Sequence, residues 1–357
     1  MFNVNRLELA RKRRRYTAKS LAELANVAPV TLSRVVNRQQ VADEETVEKL
    51  IGALKFPRAF FFKDDIDQID VSSASFRSLA AMTARERDAA LAAGELAYEM
   101  TDWVKARFNL PATDLLDLGQ ERNPGAAART MRQFWGIGEK PIGNMIRLLE
   151  TKGVRVFSLA ENTRNVDAFS CWRNDEPYVF LNTFKTTEHS RFDAAHELGH
   201  LVLHRHGGPR QGRSAELEAH AFASSFLMPQ DDVFATIPFV TTLKQVVKAK
   251  KRWGVSVSAL AHRLHKMRII SDWHYRTFCI QINRTFGDNE PDGLPPERSS
   301  VWQMVLTELW KEGVARHHIA SELTIPDSEM ENLLFGLMGD VGPPERPKGK
   351  TVLKSIK

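Results

Sequence analysis

The sequence predicts an α+β protein, predominantly helical: an N-terminal helix-turn-helix bundle, a central domain with a small sheet and an H-E-x-x-H helix, and a helical C-terminal region. Three observations predict it. Apolar residues recur at helical spacing through most of the chain. The runs rich in Val, Phe, Tyr and Trp are confined to GVRVFSLA (153–160), AFSCW (168–172) and PYVFLN (177–182). His196-Glu197-Leu198-Gly199-His200 follows directly on those runs. The expected boundaries are 1–66 for the first bundle, 67–124 for a helical linker, 125–235 for the central domain, 236–340 for the last helical region and 341–357 for a disordered basic tail.

In the first bundle, Leu7, Leu21, Leu32, Val35, Val47, Leu50 and Leu54 mark the inward faces of short amphipathic helices. Thr17 is suited to cap the second helix, and Asn26 to take the left-handed position of the turn that follows. The next helix, about Pro29 to Val36, presents Val30, Thr31, Ser33, Arg34 and Asn37, short or forked groups suited to base edges and phosphates. The stretch resembles the Cro/C1-type helix-turn-helix, which implies DNA binding and often a homodimer. Arg11 to Arg15 are placed to engage phosphates. The bland alternative is a bundle used for dimerisation or for a protein partner.

From 72 to about 135 the pattern is helical, broken at Pro111 and at Asn123-Pro124-Gly125; a further helix is expected near Ile142 to Lys152. The β-prone runs then alternate with polar turn segments such as RNDEP (173–177). Later stretches at 253–271 and 313–337 have a helix-turn-helix layout but read mainly as packing modules, and Trp302, Trp310 and Phe335 as core residues.

The H-E-x-x-H stretch can hold a metal because positions four apart share one helix face, so His196 and His200 can meet a single ion. Glu197 is then the residue that takes a proton from water. Ser190 or Asp193 could cap this helix, and Gly199 implies a close approach of backbone. A third ligand is needed. His204 shares the face of His200 but lies about 12 Å along the axis from His196. His206 has a known spacing, yet Leu203 stands where that pattern needs glycine. The next helix offers Glu216 and Glu218, and Glu216 is preferred because it shares a face with Ala219, His220 and Ala223, which permit close packing. That makes a zincin-like His₂Glu site of gluzincin type.

RFDAAHELGHLVLH followed by ELEAHAFASSFLMP resembles the ImmA/IrrE family of metallopeptidases. The resemblance implies zinc held by His196, His200 and Glu216, with Glu197 as base. It also implies a regulator protein as substrate, such as a repressor of phage, mobile-element or stress genes. His204, His206, His220 and Tyr178 are the candidates for stabilising an oxyanion, and the choice stays open.

Composition narrows the classes. The chain has 357 residues and a formal net charge of +6, which permits an anionic partner. Two cysteines argue against a disulfide framework and against a thiolate zinc site, and suit a reducing cytoplasm. No apolar stretch is long enough to span a bilayer, so no membrane association is expected. Two functions from different classes remain: a zinc endopeptidase fused to a DNA-binding module, and an antitoxin-like transcriptional regulator whose zinc is structural or sensory.

Overall fold

The computed structural model describes residues 1–69, 75–76, 83–159, 168–205, 212–287 and 289–338; the basic tail expected at 341–357 lies outside them. Among the described residues sixteen α-helices surround one small sheet, as the predominantly helical α+β expectation requires.

The N-terminal bundle comprises α1 (Val4–Arg13), α2 (Ala18–Leu24), α3 (Pro29–Val36), α4 (Glu44–Leu54) and a 3₁₀ turn, Arg58–Phe62. Thr17 Oγ1 accepts from Ser20 N at 3.0 Å, and Asn26 holds φ +50° between α2 and α3. Both fulfil the predicted turn chemistry. The bundle is not an isolated bead. Arg6, 3% exposed, grips Glu99 bidentately at 2.8 and 2.9 Å. The basic run also departs from expectation: Arg13 and Arg14 both meet Glu329, each at 2.6 Å, and Arg11 pairs with Glu8. Glu329 is only 1% exposed, so it needs those cations, and they are not free for phosphates.

Glu99 lies on α5 (Ala84–Lys105), a helix that a Thr83–Glu86 capping box starts. Its Ala-rich surface is buried on nearly all sides, which is why it sits between layers and not on the outside. A Cβ at Gly94 would stand 3.3 Å from the rings of both Phe169 and Phe180, so glycine lets this helix touch the sheet. Burial pushes the neighbouring Glu95 carboxyl up to about 7, against the opposing pull of the Ile69 N–H and Lys12. A carboxyl raised in the folded state stabilises it below the ordinary value of 4.5, and that contribution is lost as pH rises through about 7. Glu95→Gln is therefore expected to flatten the dependence of the urea midpoint on pH across that window, which titrated denaturation curves would read.

The sheet runs in the order β1 (Ser75–Phe76), β3 (Ala168–Arg173), β4 (Glu176–Leu181), β2 (Arg155–Ser158). β3 and β4 form a hairpin whose two turn residues, Asn174 and Asp175, hold φ +49° and +62°. That is the left-handed pair a two-residue hairpin wants. β2 pairs with β4 in parallel. Side chains alternate by strand geometry: Phe157, Phe169, Tyr178 and Phe180 join the core shared with α5 and the N-terminal bundle. Val156, Ala168, Val179 and Leu181 join a second core built on α8 (Thr187–Leu203). The sheet is thus the partition between two cores.

The C-terminal half divides between them. α11 (Leu243–Trp253), α12 (Val257–Lys266) and α13 (Asp272–Thr285) belong to the α8 side. α14 (Ser300–Lys311), α15 (Arg316–Leu323) and α16 (Asp327–Leu334) pack on the α5 side. Both stretches with helix-turn-helix layout pack in this way. Trp302 is core as expected, but Trp310 is 57% and Phe335 46% exposed. Trp310 lies on the outer face of α14, and Phe335 stacks on exposed Phe184 at the surface, ring centres 4.8 Å apart.

Candidate metal centre

α8 starts earlier than its sequence suggests. Thr186 is the cap, accepting from His189 N at 3.4 Å, and Ser190 and Asp193 lie inside the helix. Thr186 wins because its extended backbone lets its hydroxyl fold over the first turn. The glycine at 199 has a clear reason: a Cβ there would stand 3.1 Å from Phe222 and 3.2 Å from Ala219 Cα. Both belong to α9 (Arg213–Leu227), so Gly199 and Ala219 let two helix backbones come together. That approach carries Glu216 to the histidines.

His196 Nε2 is 3.1 Å from His200 Nε2 and 3.1 Å from Glu216 Oε2; His200 Nε2 is 3.3 Å from Glu216 Oε1. Ligand atoms about 2.0–2.1 Å from one tetrahedral ion stand about 3.3 Å from each other, so the three side chains have the spread that such an ion needs. Among the described residues this is the group of His, Cys, Asp and Glu that could hold a metal. His196 and His200 are 1% and 5% exposed and Glu216 is 27% exposed, which leaves approach from one side. Burial works to raise the Glu216 carboxyl, but its hydrogen-bond contacts with the His196 and His200 rings outweigh it and hold it down to about 2; an ion bound there would take the place of the ring protons in those contacts. The third position thus carries an anion at neutral pH. Neither cysteine is near this role: Cys171 is buried beside the Tyr98 hydroxyl at 3.1 Å, and Cys279 is exposed.

Two residues weighed for other roles lie behind His200. His204 Nδ1 is 3.0 Å from His200 Nδ1, and His204 Nε2 is 3.2 Å from Glu218 Oε2. A carboxylate can only accept, so His204 donates from Nε2, and as a neutral ring it accepts at Nδ1. His200 can then donate from Nδ1–H, which frees its Nε2 to offer a lone pair to an ion at the centre of the triangle. This is the donor set that a divalent ion requires.

Glu197 is fully buried, and Ser170 on β3 donates from Oγ to its Oε2 at 2.7 Å. The sequence offered no signal for Ser170, since only strand register turns it toward α8. Of the oxyanion candidates, Tyr178 is buried against Tyr98 and Phe157 on the far side of the sheet, and His204 is committed behind His200. His206 lies outside the described residues. His220 lines a cleft of about 900 Å³ that also holds His196 and Glu216. His262 of α12 lines it too, its ring 5.6 Å from that of His220, a residue that sequence spacing could not connect with the site.

On the N-terminal bundle, Val30, Ser33, Arg34 and Asn37 are exposed and Thr31 is half-buried, so α3 turns its polar face outward while Leu32 and Val35 fill the core. No described helix is long and apolar enough to cross a membrane.

Two family models match the chain: the IrrE N-terminal-like domain, a peptidase of family M78, over residues 149–265, and a helix-turn-helix over residues 7–61. The first match runs through α11 and most of α12, and so takes in His262. No curated protein matches the chain. A peptidase-type domain similar to that of IrrE is therefore joined here to a helix-turn-helix domain of DNA-binding type, with a His/His/Glu group inside the first.

Proposed function

We propose that the chain is a cytoplasmic zinc endopeptidase of gluzincin type that a DNA-reading module carries to its target, a repressor or regulator protein. His196, His200 and Glu216 hold the ion, Glu197 is the base, and Val30, Thr31, Ser33, Arg34 and Asn37 face the DNA. The observation that carries the reading is the convergence of two imidazoles and one carboxylate within hydrogen-bond distance of one another.

Bound there, zinc would act as a Lewis acid, making water more acidic and polarising the scissile carbonyl. The protein supplies the rest. Glu197 takes the proton from the attacking water and returns it to the leaving nitrogen. Ser170 fixes the carboxylate that does so. His220 and His262 stand on the cleft side, where negative charge would develop on the carbonyl oxygen. His204 and Glu218 hold His200 in the tautomer that leaves Nε2 unprotonated.

The test has two arms. The purified chain should hold one zinc per chain and cut a co-expressed repressor, a cut that chelation stops and added zinc restores; cleavage that survives chelation overturns the reading. His204→Gln should weaken zinc binding about 10–100-fold, as outer-shell losses do, read by competition with a chromophoric chelator. The rival reading, a regulator whose ion is structural or sensory, finds support in the burial of Glu197 beneath β3.

A further inference from the structure

Three cations in the cleft have no ion-pair partner among the described residues. Arg129 lies on α6 (Pro124–Phe134), Arg213 opens α9, and Lys266 closes α12; all three are exposed. They come from three separate helices, so their meeting at one cleft is a product of the fold and not of a local basic run. The other cleft arginines have work already. Arg132, 2% exposed, donates to the carbonyls of Gly138, Lys140 and Phe226, and Arg263 donates to Met228 O and Ser225 Oγ. Both keep their charge and add to the positive field. Among the described residues α9 has no side-chain cap, and its first residue, Arg213, lines the cleft, which sets the positive end of a 15-residue helix at its edge. Two carboxylates besides Glu216, Glu139 and Asp231, line the same space, so cations outnumber anions there.

On this basis we infer that the peptidase selects an acidic segment of its protein substrate, with Asp or Glu side chains meeting Arg129, Arg213 and Lys266 while the scissile bond lies by His196 and Glu216. The inference rests on the peptidase reading and adds the substrate's chemistry to it. A peptide is favoured over a nucleic acid because His196 and Glu216 of the proposed peptidase centre line the same cleft, and the chain's DNA-type module is a different surface, at α3.

The experiment uses the full chain with zinc and Glu197→Gln, which allows binding to be read without turnover. Three fluorescein-labelled peptides of equal length, with Glu, Gln or Lys at the same alternate positions, are titrated by anisotropy. The Glu peptide should bind tightest, and raised salt should narrow its lead. Arg129→Gln/Arg213→Gln/Lys266→Gln together should weaken it about tenfold, the scale expected of three exposed charges, with the Gln peptide unaffected. Replacing the same three by Glu should turn the preference toward the Lys peptide. Equal binding of all three peptides, or variants that leave the order unchanged, overturns the inference. So does a single-stranded oligonucleotide whose affinity falls with these substitutions while that of the Glu peptide does not. If the Glu peptide binds as expected and the zinc-loaded chain with Glu197 intact leaves it uncut, the peptidase reading fails and the charge selection stands.

Discussion

Glu197→Gln is expected to lower repressor cleavage by about 10²–10⁴-fold, the usual worth of a general acid–base group, while zinc binds as before. Glutamine keeps the size of the side chain and can still accept from Ser170 Oγ, so the packing of α8 against β3 should survive. It cannot take a proton at neutral pH. The loss should therefore fall on kcat, with KM little changed, because Glu197 acts on water and not on the bound peptide. Zinc content and DNA affinity, measured on the same preparation, must stay at the levels of the unsubstituted chain. Ser170→Ala serves as the companion: it removes only the hydroxyl that orients the carboxylate and should cost less than Glu197→Gln. A regulator whose ion is structural needs no base, so an unchanged phenotype in Glu197→Gln would leave that rival as the better account.

What the sequence revealed of this site, and what it concealed, follow from the range of the interactions. His196 and His200 share a face by helix periodicity, and the small residues beside Glu216 favoured it over Glu218, so local pattern pointed to the three side chains that the fold brings together. The bundle's Thr17 cap and Asn26 turn are equally local. The outer parts of the site depend on contacts between elements remote in sequence. Ser170 reaches Glu197 only because strand register turns alternate residues toward α8. His262 enters the cleft because α12 packs back against α9. The basic run at the N-terminus misled for the same reason: its partner, Glu329, lies more than three hundred residues away. Glu218 shows the limit of face arguments. It lies outside the His196–His200–Glu216 group, yet it reaches that group through His204.

The largest stability effect is expected at Lys250, on α11. Its ammonium is 1% exposed and lies 3.0 Å from Glu188 and 3.0 Å from Glu290, themselves 1% and 9% exposed. Glu188 sits in the first turn of α8, so this triad ties the H-E-x-x-H helix to α11; Glu290 also accepts from Val257 N at the start of α12, and Glu188 from Leu294 N. Lys250→Met fills the same space with an apolar chain but leaves two carboxylates buried side by side. Breaking a buried pair in this way costs about 3–5 kcal/mol, whereas Lys251→Met, whose pair with Asp292 has both partners more than half exposed, should cost about 0–1 kcal/mol. Urea midpoints of the two variants give the comparison directly. Adding Glu188→Gln to Lys250→Met removes one of the stranded charges, so the double variant should be more stable than Lys250→Met alone, a non-additivity that exposed pairs do not show. If Lys250→Met and Lys251→Met unfold at the same urea concentration, the triad is not what holds α11 to α8, and the apolar packing around Val246 and Trp253 must do it alone.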